Sequence, residues 1–272
     1  QCDFLIAGAA MIGGISYFHE FEYDLISENE KIISVTTDVA IDCYLNHNLK
    51  RAIFLSSSMV FESSDIFPTK EEDLYKIPPP ISSYGFQKLA VEYFARSASS
   101  QYGLEYSIAR PFNCVGIGEV KTKTEKKLSD SSSKLALSHV VPDLILKTLE
   151  AEDSIEILGN GNQIRHYTYG EDLAEGIGLL LEHPNAKNED FNLSTSQSTT
   201  VLELAEIIWK KIKPNQDFKY TSTDSFEYDV QKRIPATEKA KSLLGYEAKT
   251  SLDQMLDIVI PWIKDAKQKN LF

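Results

Sequence analysis

The chain has 272 residues, 42% hydrophobic and 25% charged, and its 28 Lys+Arg stand against 40 Asp+Glu for a formal net charge of −12. That composition excludes whole-chain disorder, and the acidic balance disfavours a nucleic-acid coat, because phosphate binding needs positive charge. No apolar run approaches the roughly 18–20 residues of a membrane helix. The opening QCDFLIAGAA also lacks the basic start of a signal peptide. Three scattered cysteines, Cys2, Cys43 and Cys114, predict neither a disulfide framework nor a metal site, and they point to a reducing, cytoplasmic setting.

DFLIA (3–7) reads as a short buried strand, 22–47 as a long helix and RAIFLSS (51–57) as a second buried strand. A polar, Pro-rich loop over 62–82 follows, then a helix over 84–102 with Gly103 as its stop signal. LEYSIAR (104–110) is a third strand, halted by Pro111. This alternation predicts an α/β layer structure around a parallel sheet.

After Asn113 the texture changes, and the run over 119–134 reads as a polar loop of low complexity. Residues 139–152 read as a helix. Residues 155–169 read as a hairpin turning on Gly159-Asn160-Gly161-Asn162. A helix over 170–184 and a strand over 190–194 come next. Thr200 and Glu203 form a capping-box pattern before the helix 201–213, and two further helices are expected over 237–246 and after Thr250. The expected division is 1–115 and 116–272, with 155–195 partly returning to the first unit.

GAAMIGG (8–14) follows a strand but is not a dinucleotide fingerprint. Its glycines stand at 8, 13 and 14, and no acidic residue ends a second strand about 20 residues on. The stronger signal is SSYGFQK (82–88). Tyr84 and Lys88, four apart, fall on one helix face, where an ammonium can favour the phenolate and make Tyr a usable acid/base. Ser56-Ser57-Ser58 ends the preceding strand, where a hydroxyl can complete a proton path.

Five segments in this order resemble the extended short-chain dehydrogenase/reductases, specifically the nucleotide-sugar epimerases and dehydratases. They are FLIAGAA, FLSSSMVF, SSYGFQK, RPFNCVG and GNGNQIRHYTYGEDLA. The resemblance implies a Rossmann-like doubly wound parallel sheet with a smaller α/β substrate-binding domain. It implies NAD as cofactor, a nucleotide-diphosphate sugar as substrate, and a homodimer formed through the helices at 22–47 and 84–102. It also places GAA (8–10) at the loop of the family's fourth strand, because Gly8 stands only 49 residues before Ser57. The family's first strands and glycine loop are then not within the sequence, so the residues for adenosine and pyrophosphate go unnamed.

By the same resemblance Tyr84 is the acid/base, Lys88 binds the nicotinamide ribose and lowers the Tyr84 pKa, and Ser57 is the catalytic hydroxyl, with Ser56 and Ser58 as neighbouring alternatives. Gly8, Ala9, Ala10, Asn29, Ser56, Pro111 and Phe112 are expected at the cofactor. Ser58, Asn113, His139, Val140, Arg165 and Arg233 are expected at the substrate, the two arginines clamping the diphosphate. The loop from Met11 to Ser16 would border the sugar, and His166 reads as a core residue. Ser58 and Met59 stand where family 4,6-dehydratases carry an acid, and Ala236 replaces a helix-capping Asp. The expected reaction is therefore C4 epimerisation through a transient 4-keto sugar. A 4-keto reductase, a uronate decarboxylase and a non-catalytic binding protein of the same fold are the rivals.

Overall fold

The computed structural model describes residues 2–12, 21–118, 139–224 and 230–269. The expected loop at 119–134 and most of the expected sugar-side loop, from residue 13 on, lie outside them. The first unit is a parallel sheet in the order β1-β2-β3-β8, made of β1 (Phe4–Ala7), β2 (Arg51–Leu55), β3 (Tyr106–Pro111) and β8 (Glu189–Leu193). Helices α1 (Glu22–Asn46) and α2 (Ser83–Tyr102) cover one face. There Ile33, Ala40, Val91 and Ala95 pack on Ala52, Phe54 and Ile108. Helices α4 (Gly170–Glu182) and α6 (Glu238–Leu244) cover the other, placing Leu173, Leu180 and Ala240 on Ile53, Ala109 and Phe191. A strand buried on both faces must be apolar throughout, and Ala52, Ile53 and Phe54 are all fully buried. This is the doubly wound arrangement that the sequence predicts.

Helix α2 begins on Ser82, whose hydroxyl accepts from the Gly85 N–H. It stops at Gly103, whose φ of 74° lies in the left-handed region that glycine enters without steric cost. The C-terminus of α4 is closed by a side chain from the sheet. The guanidinium of Arg51 donates to the Leu180 and His183 carbonyls at 2.8 and 3.0 Å.

The second core is separate. It gathers Val141, Leu144 and Ile145 of α3 (Val140–Glu150), Leu204, Ile208 and Trp209 of α5 (Val201–Ile212), and Met255, Leu256 and Val259 of α7 (Leu252–Gln268). The capping box predicted for α5 is present, with the Glu203 N–H donating to Thr200 Oγ1 and the Thr200 N–H donating to the Glu203 carboxylate.

The predicted hairpin over 155–169 is not. Strand β4 (Cys114–Val115) pairs in parallel with β7 (Thr168–Tyr169), β5 (Ile155–Leu158) pairs in parallel with β10 (Tyr220–Thr223), and β6 (Ile164–Arg165) pairs antiparallel with β9 (Thr199–Thr200). Gly159 and Gly161 do turn the chain, at φ 64° and 73°. The carbonyls beyond the turn are claimed by α5, since the Leu202 N–H donates to Gly161 O and the Val201 N–H to Gln163 O. A turn signal in a sequence predicts a reversal; it does not say which strand will be the partner.

Candidate active site

Parallel strands place their carboxyl ends together, and the ligand crevice of such a sheet lies there. Gly8–Ala10 follow β1, Ser56–Ser58 follow β2, Phe112 and Asn113 follow β3, and Ser194 and Thr195 follow β8. Ser57 caps a short 3-10 turn (Ser58–Phe61), its hydroxyl accepting from the Met59 N–H at 3.2 Å. That hydroxyl is also hydrogen-bonded to the phenol of Tyr84. Of the three serines, Ser57 is the one joined to the tyrosine.

Lys88 lies one turn along α2, with its Nζ 5.9 Å from the centre of the Tyr84 ring. It is buried and donates to the Leu55 carbonyl at 3.1 Å. An ammonium has three donors, so a ribose diol fits the remainder, and this end of the crevice suits the nicotinamide half of a dinucleotide. Burial holds the Tyr84 phenol above its ordinary pKa, against opposing pulls from Ser57 and Arg233. The Lys88 ammonium is itself penalised by burial, which lowers its pKa to about 8.

The folded chain pays to keep Lys88 charged below pH 8, and the cost fades as pH rises toward 10.5. The full penalty is about 3 kcal/mol, and the lost hydrogen bond to Leu55 returns about 1. Lys88→Met is expected to stabilise the ligand-free chain by about 2 kcal/mol at pH 7 and by less at pH 10, read from denaturant unfolding. A loss of stability at pH 7 would contradict the burial argument.

Arg165 and Arg233 come from the second half of the chain. The Arg233 N–H donates to Ile164 O at 3.1 Å, so the two arginines lie on adjacent segments, and Arg233 Nη1 reaches Ser58 Oγ at 3.5 Å. Residues 231–236 are held from the other side by Thr69, whose N–H donates to Ile234 O and whose carbonyl accepts from the Ala236 N–H. Both guanidinium charges act on the Tyr167 phenol. That hydroxyl is buried without a hydrogen-bond partner among the described residues, and burial pushes its pKa up to about 12. The Tyr167 side chain belongs to the second core. An arginine pair suits a diphosphate, which accepts bidentate hydrogen bonds.

Other expected residues take different places. The Asn29 side chain holds the loop after β1, with Oδ1 accepting from the Met11 N–H at 2.6 Å and Nδ2 donating to Met11 O at 2.9 Å, which leaves one N–H donor and one oxygen lone pair of the amide for a further partner. Ser56 turns its hydroxyl inward to donate to Glu92 Oε1 at 2.7 Å, so it does not face the crevice. The Phe112 ring is buried against Phe61 with centroids 6.4 Å apart, and only its backbone and Pro111 border the strand ends. Asn113 sits at φ 39° and donates weakly to His166 O at 3.4 Å. Val140 packs on the second core, while His139 is exposed at the start of α3. His166 is buried, with Nδ1 at 2.8 Å from Thr195 O, and burial lowers its pKa. Among the described residues no group of three or more His, Cys, Asp or Glu is placed to hold a metal ion, and no helix is long and apolar enough to cross a membrane.

A doubly wound sheet with a Ser–Tyr–Lys set at its strand ends, faced by two arginines from a second unit, defines a Rossmann fold of the short-chain dehydrogenase/reductase type. The sequence model of the NAD dependent epimerase/dehydratase family matches residues 1–194, and the chain belongs to that family. It is 27% identical to a putative GDP-L-fucose synthase 2 of Oryza sativa over 75% of this chain and 56% of that one. It is 26% identical to a UDP-glucose 4-epimerase of Halalkalibacterium halodurans over 85% of this chain and 68% of that one. The crystal structure of a Thermotoga maritima UDP-glucose 4-epimerase with UDP-glucose superposes with a TM-score of 0.81 at 26% identity, covering 97% of this chain and 78% of that one. The chain thus spans little more than half the length of the rice relative.

Proposed function

We propose that this chain carries the catalytic and sugar-binding parts of an NAD-dependent nucleotide-sugar epimerase acting at C4. The observation that carries the reading is the convergence of Tyr84, Ser57 and Arg233, drawn from three distant parts of the chain, on one crevice. When bound, NAD accepts and returns the hydride of a sugar C4. Lys88 holds the nicotinamide ribose with its spare donors. Arg165 and Arg233 hold the diphosphate and so fix the distance of the sugar from Tyr84. Ser57 bridges the sugar hydroxyl and the phenol. Tyr84 takes the O4 proton as the hydride leaves and gives it back after the sugar has turned over. The two hydrogens are returned, so no external redox partner is consumed.

Ser58 and Met59 supply no carboxyl beside Ser57, which favours epimerisation over dehydration. The first unit would hold the cofactor and the second the nucleotide sugar. The acidic charge and three free thiols suit the cytoplasm. Screening UDP-, GDP-, CDP- and dTDP-sugars tests the reading. Interconversion of two sugars with no net NADH supports it, while net NADPH consumption favours a reductase and CO₂ release a decarboxylase.

A homodimer through α1 and α2 is part of the proposal. Val35 and Val39, one turn apart on α1, are 62% and 49% exposed, and Phe86 and Tyr93, two turns apart on α2, are 48% and 63% exposed. Such apolar stripes on neighbouring helices favour a partner helix pair. Tyr93→Glu is expected to convert a dimer to a monomer at micromolar concentration in sedimentation velocity. A wild-type protein that sediments as a monomer would contradict the interface.

A further inference from the structure

Glu62 ends the 3-10 turn that follows Ser57, its N–H donating to Met59 O. Its carboxylate reaches across the Pro-rich loop to the start of the catalytic helix. Oε1 accepts from the Ile81 N–H at 2.5 Å and the Ser82 N–H at 2.6 Å, and Oε2 accepts from the Ser82 hydroxyl at 2.5 Å. Ser82 Oγ in turn accepts from the Gly85 N–H at 3.0 Å. One carboxylate therefore fixes the two residues before α2 and, through the Ser82 cap, its first turn. Tyr84 is the second residue of that helix.

The contact has no slack. A Cβ at Gly85 would stand 2.7 Å from Pro80 Cβ and 2.8 Å from both Glu62 Oε2 and Met59 O. The serine turn, the end of the loop and the start of α2 touch at this point, and only glycine passes. A negative charge at a helix N-terminus is favourable as well. Glu62 is hydrogen-bonded to groups flanking Tyr84, and none of these bonds is to the phenol.

We propose that Glu62 is a positioning residue: it fastens the segment bearing Ser57 to the helix bearing Tyr84 and so sets the Ser57–Tyr84 hydrogen bond. The proposal rests on the reading of Tyr84 as the acid/base. Without the carboxylate, the first turn of α2 frays and the phenol drifts from Ser57 and Arg233, the two groups that stabilise its anion.

The test labels the full protein with 3-fluorotyrosine and follows Tyr84 by fluorine NMR, its resonance assigned by its loss in Tyr84→Phe. Glu62→Ala is expected to move the Tyr84 titration upward by about half a unit or more, since stabilisation of the anion is lost. It is also expected to lower kcat about tenfold or more with KM changed less than about threefold, because orientation acts on the chemical step. Glu62→Gln, which keeps one acceptor oxygen for the two backbone N–H groups, is expected to recover most of both. If Glu62→Ala fails to fold, Glu62→Asp, one methylene too short for all three contacts, reads the same titration. An unchanged Tyr84 resonance and titration in these variants overturns the proposal, as does a kcat loss that Glu62→Gln does not relieve. Full activity in Tyr84→Phe would instead overturn the acid/base reading, while the fluorine titration would still report on Glu62.

Discussion

Arg110→Met is expected to destabilise the chain by about 3–5 kcal/mol, the largest stability effect we expect of any single side chain here. Arg110 is fully buried and donates to both oxygens of the fully buried Glu92, at 2.7 and 2.8 Å, and also to Asp190. Arg96 adds bonds to Glu92 at 2.9 Å and to Asp190 at 3.1 Å, and Lys239 reaches Asp190 at 3.0 Å. The cluster ties α2, β3, β8 and α6 together beneath the site. Its upper end is Ser56, bonded to Glu92, and Arg110 lies 5.1 Å from the centre of the Phe61 ring, directly under the serine turn. Removing Arg110 leaves a buried carboxylate short of its main counter-charge. The double variant Glu92→Leu/Arg110→Met removes both charges and is expected to recover much of the loss in denaturant unfolding. A loss below about 1 kcal/mol for Arg110→Met would mean that Arg96 and Ser56 already suffice for Glu92.

The cluster also sets an acid limit. Burial alone would raise the Asp190 carboxyl, but Arg110 and then Lys239 hold it down at about 2, and Glu92 is depressed by the same balance. A depressed carboxylate contributes stability that is complete above its unfolded pKa near 4 and is lost as pH falls toward 2. For Asp190 this is about 2 kcal/mol. In Arg110→Met the loss is expected to begin at higher pH.

The second large effect falls on activity. Tyr84→Phe removes one hydroxyl, and a general acid/base contributes about 10²- to 10⁴-fold, so kcat is expected to fall by that factor. Two signs distinguish this from a packing defect. The phenol is held above its ordinary pKa, first by burial, so wild-type activity is expected to rise with pH as Tyr84 ionises, and Tyr84→Phe to lose that rise. Stability is expected to change little, because the ring remains. A rate within threefold of wild type would remove Tyr84 from the mechanism.

What was legible in the sequence was local. The helical spacing of Tyr84 and Lys88, the stop at Gly103, the apolar run of β2 and the Thr200–Glu203 box each express a rule that acts within one element. The partners of those elements were not legible. Glu62 and Ser82 stand 20 residues apart, Glu92 and Arg110 18, and Ser58 and Arg233 175, and no periodicity links them. The hairpin expected at 155–169 failed for the same reason, because β10 lies far along the chain. Ser56 was expected at the cofactor, yet its hydroxyl serves Glu92: a polar residue near a crevice can satisfy a buried carboxylate, and its sequence position alone does not decide between that and a ligand.

The most direct measurement uses a UDP-sugar carrying deuterium at C4, incubated with the full protein and NAD and followed by proton NMR. The two C4 epimers are expected to equilibrate, both retaining the deuterium at C4, with no accumulation of NADH. Loss of the label to solvent, or no epimer from a UDP-, GDP-, CDP- or dTDP-sugar, would contradict this expectation.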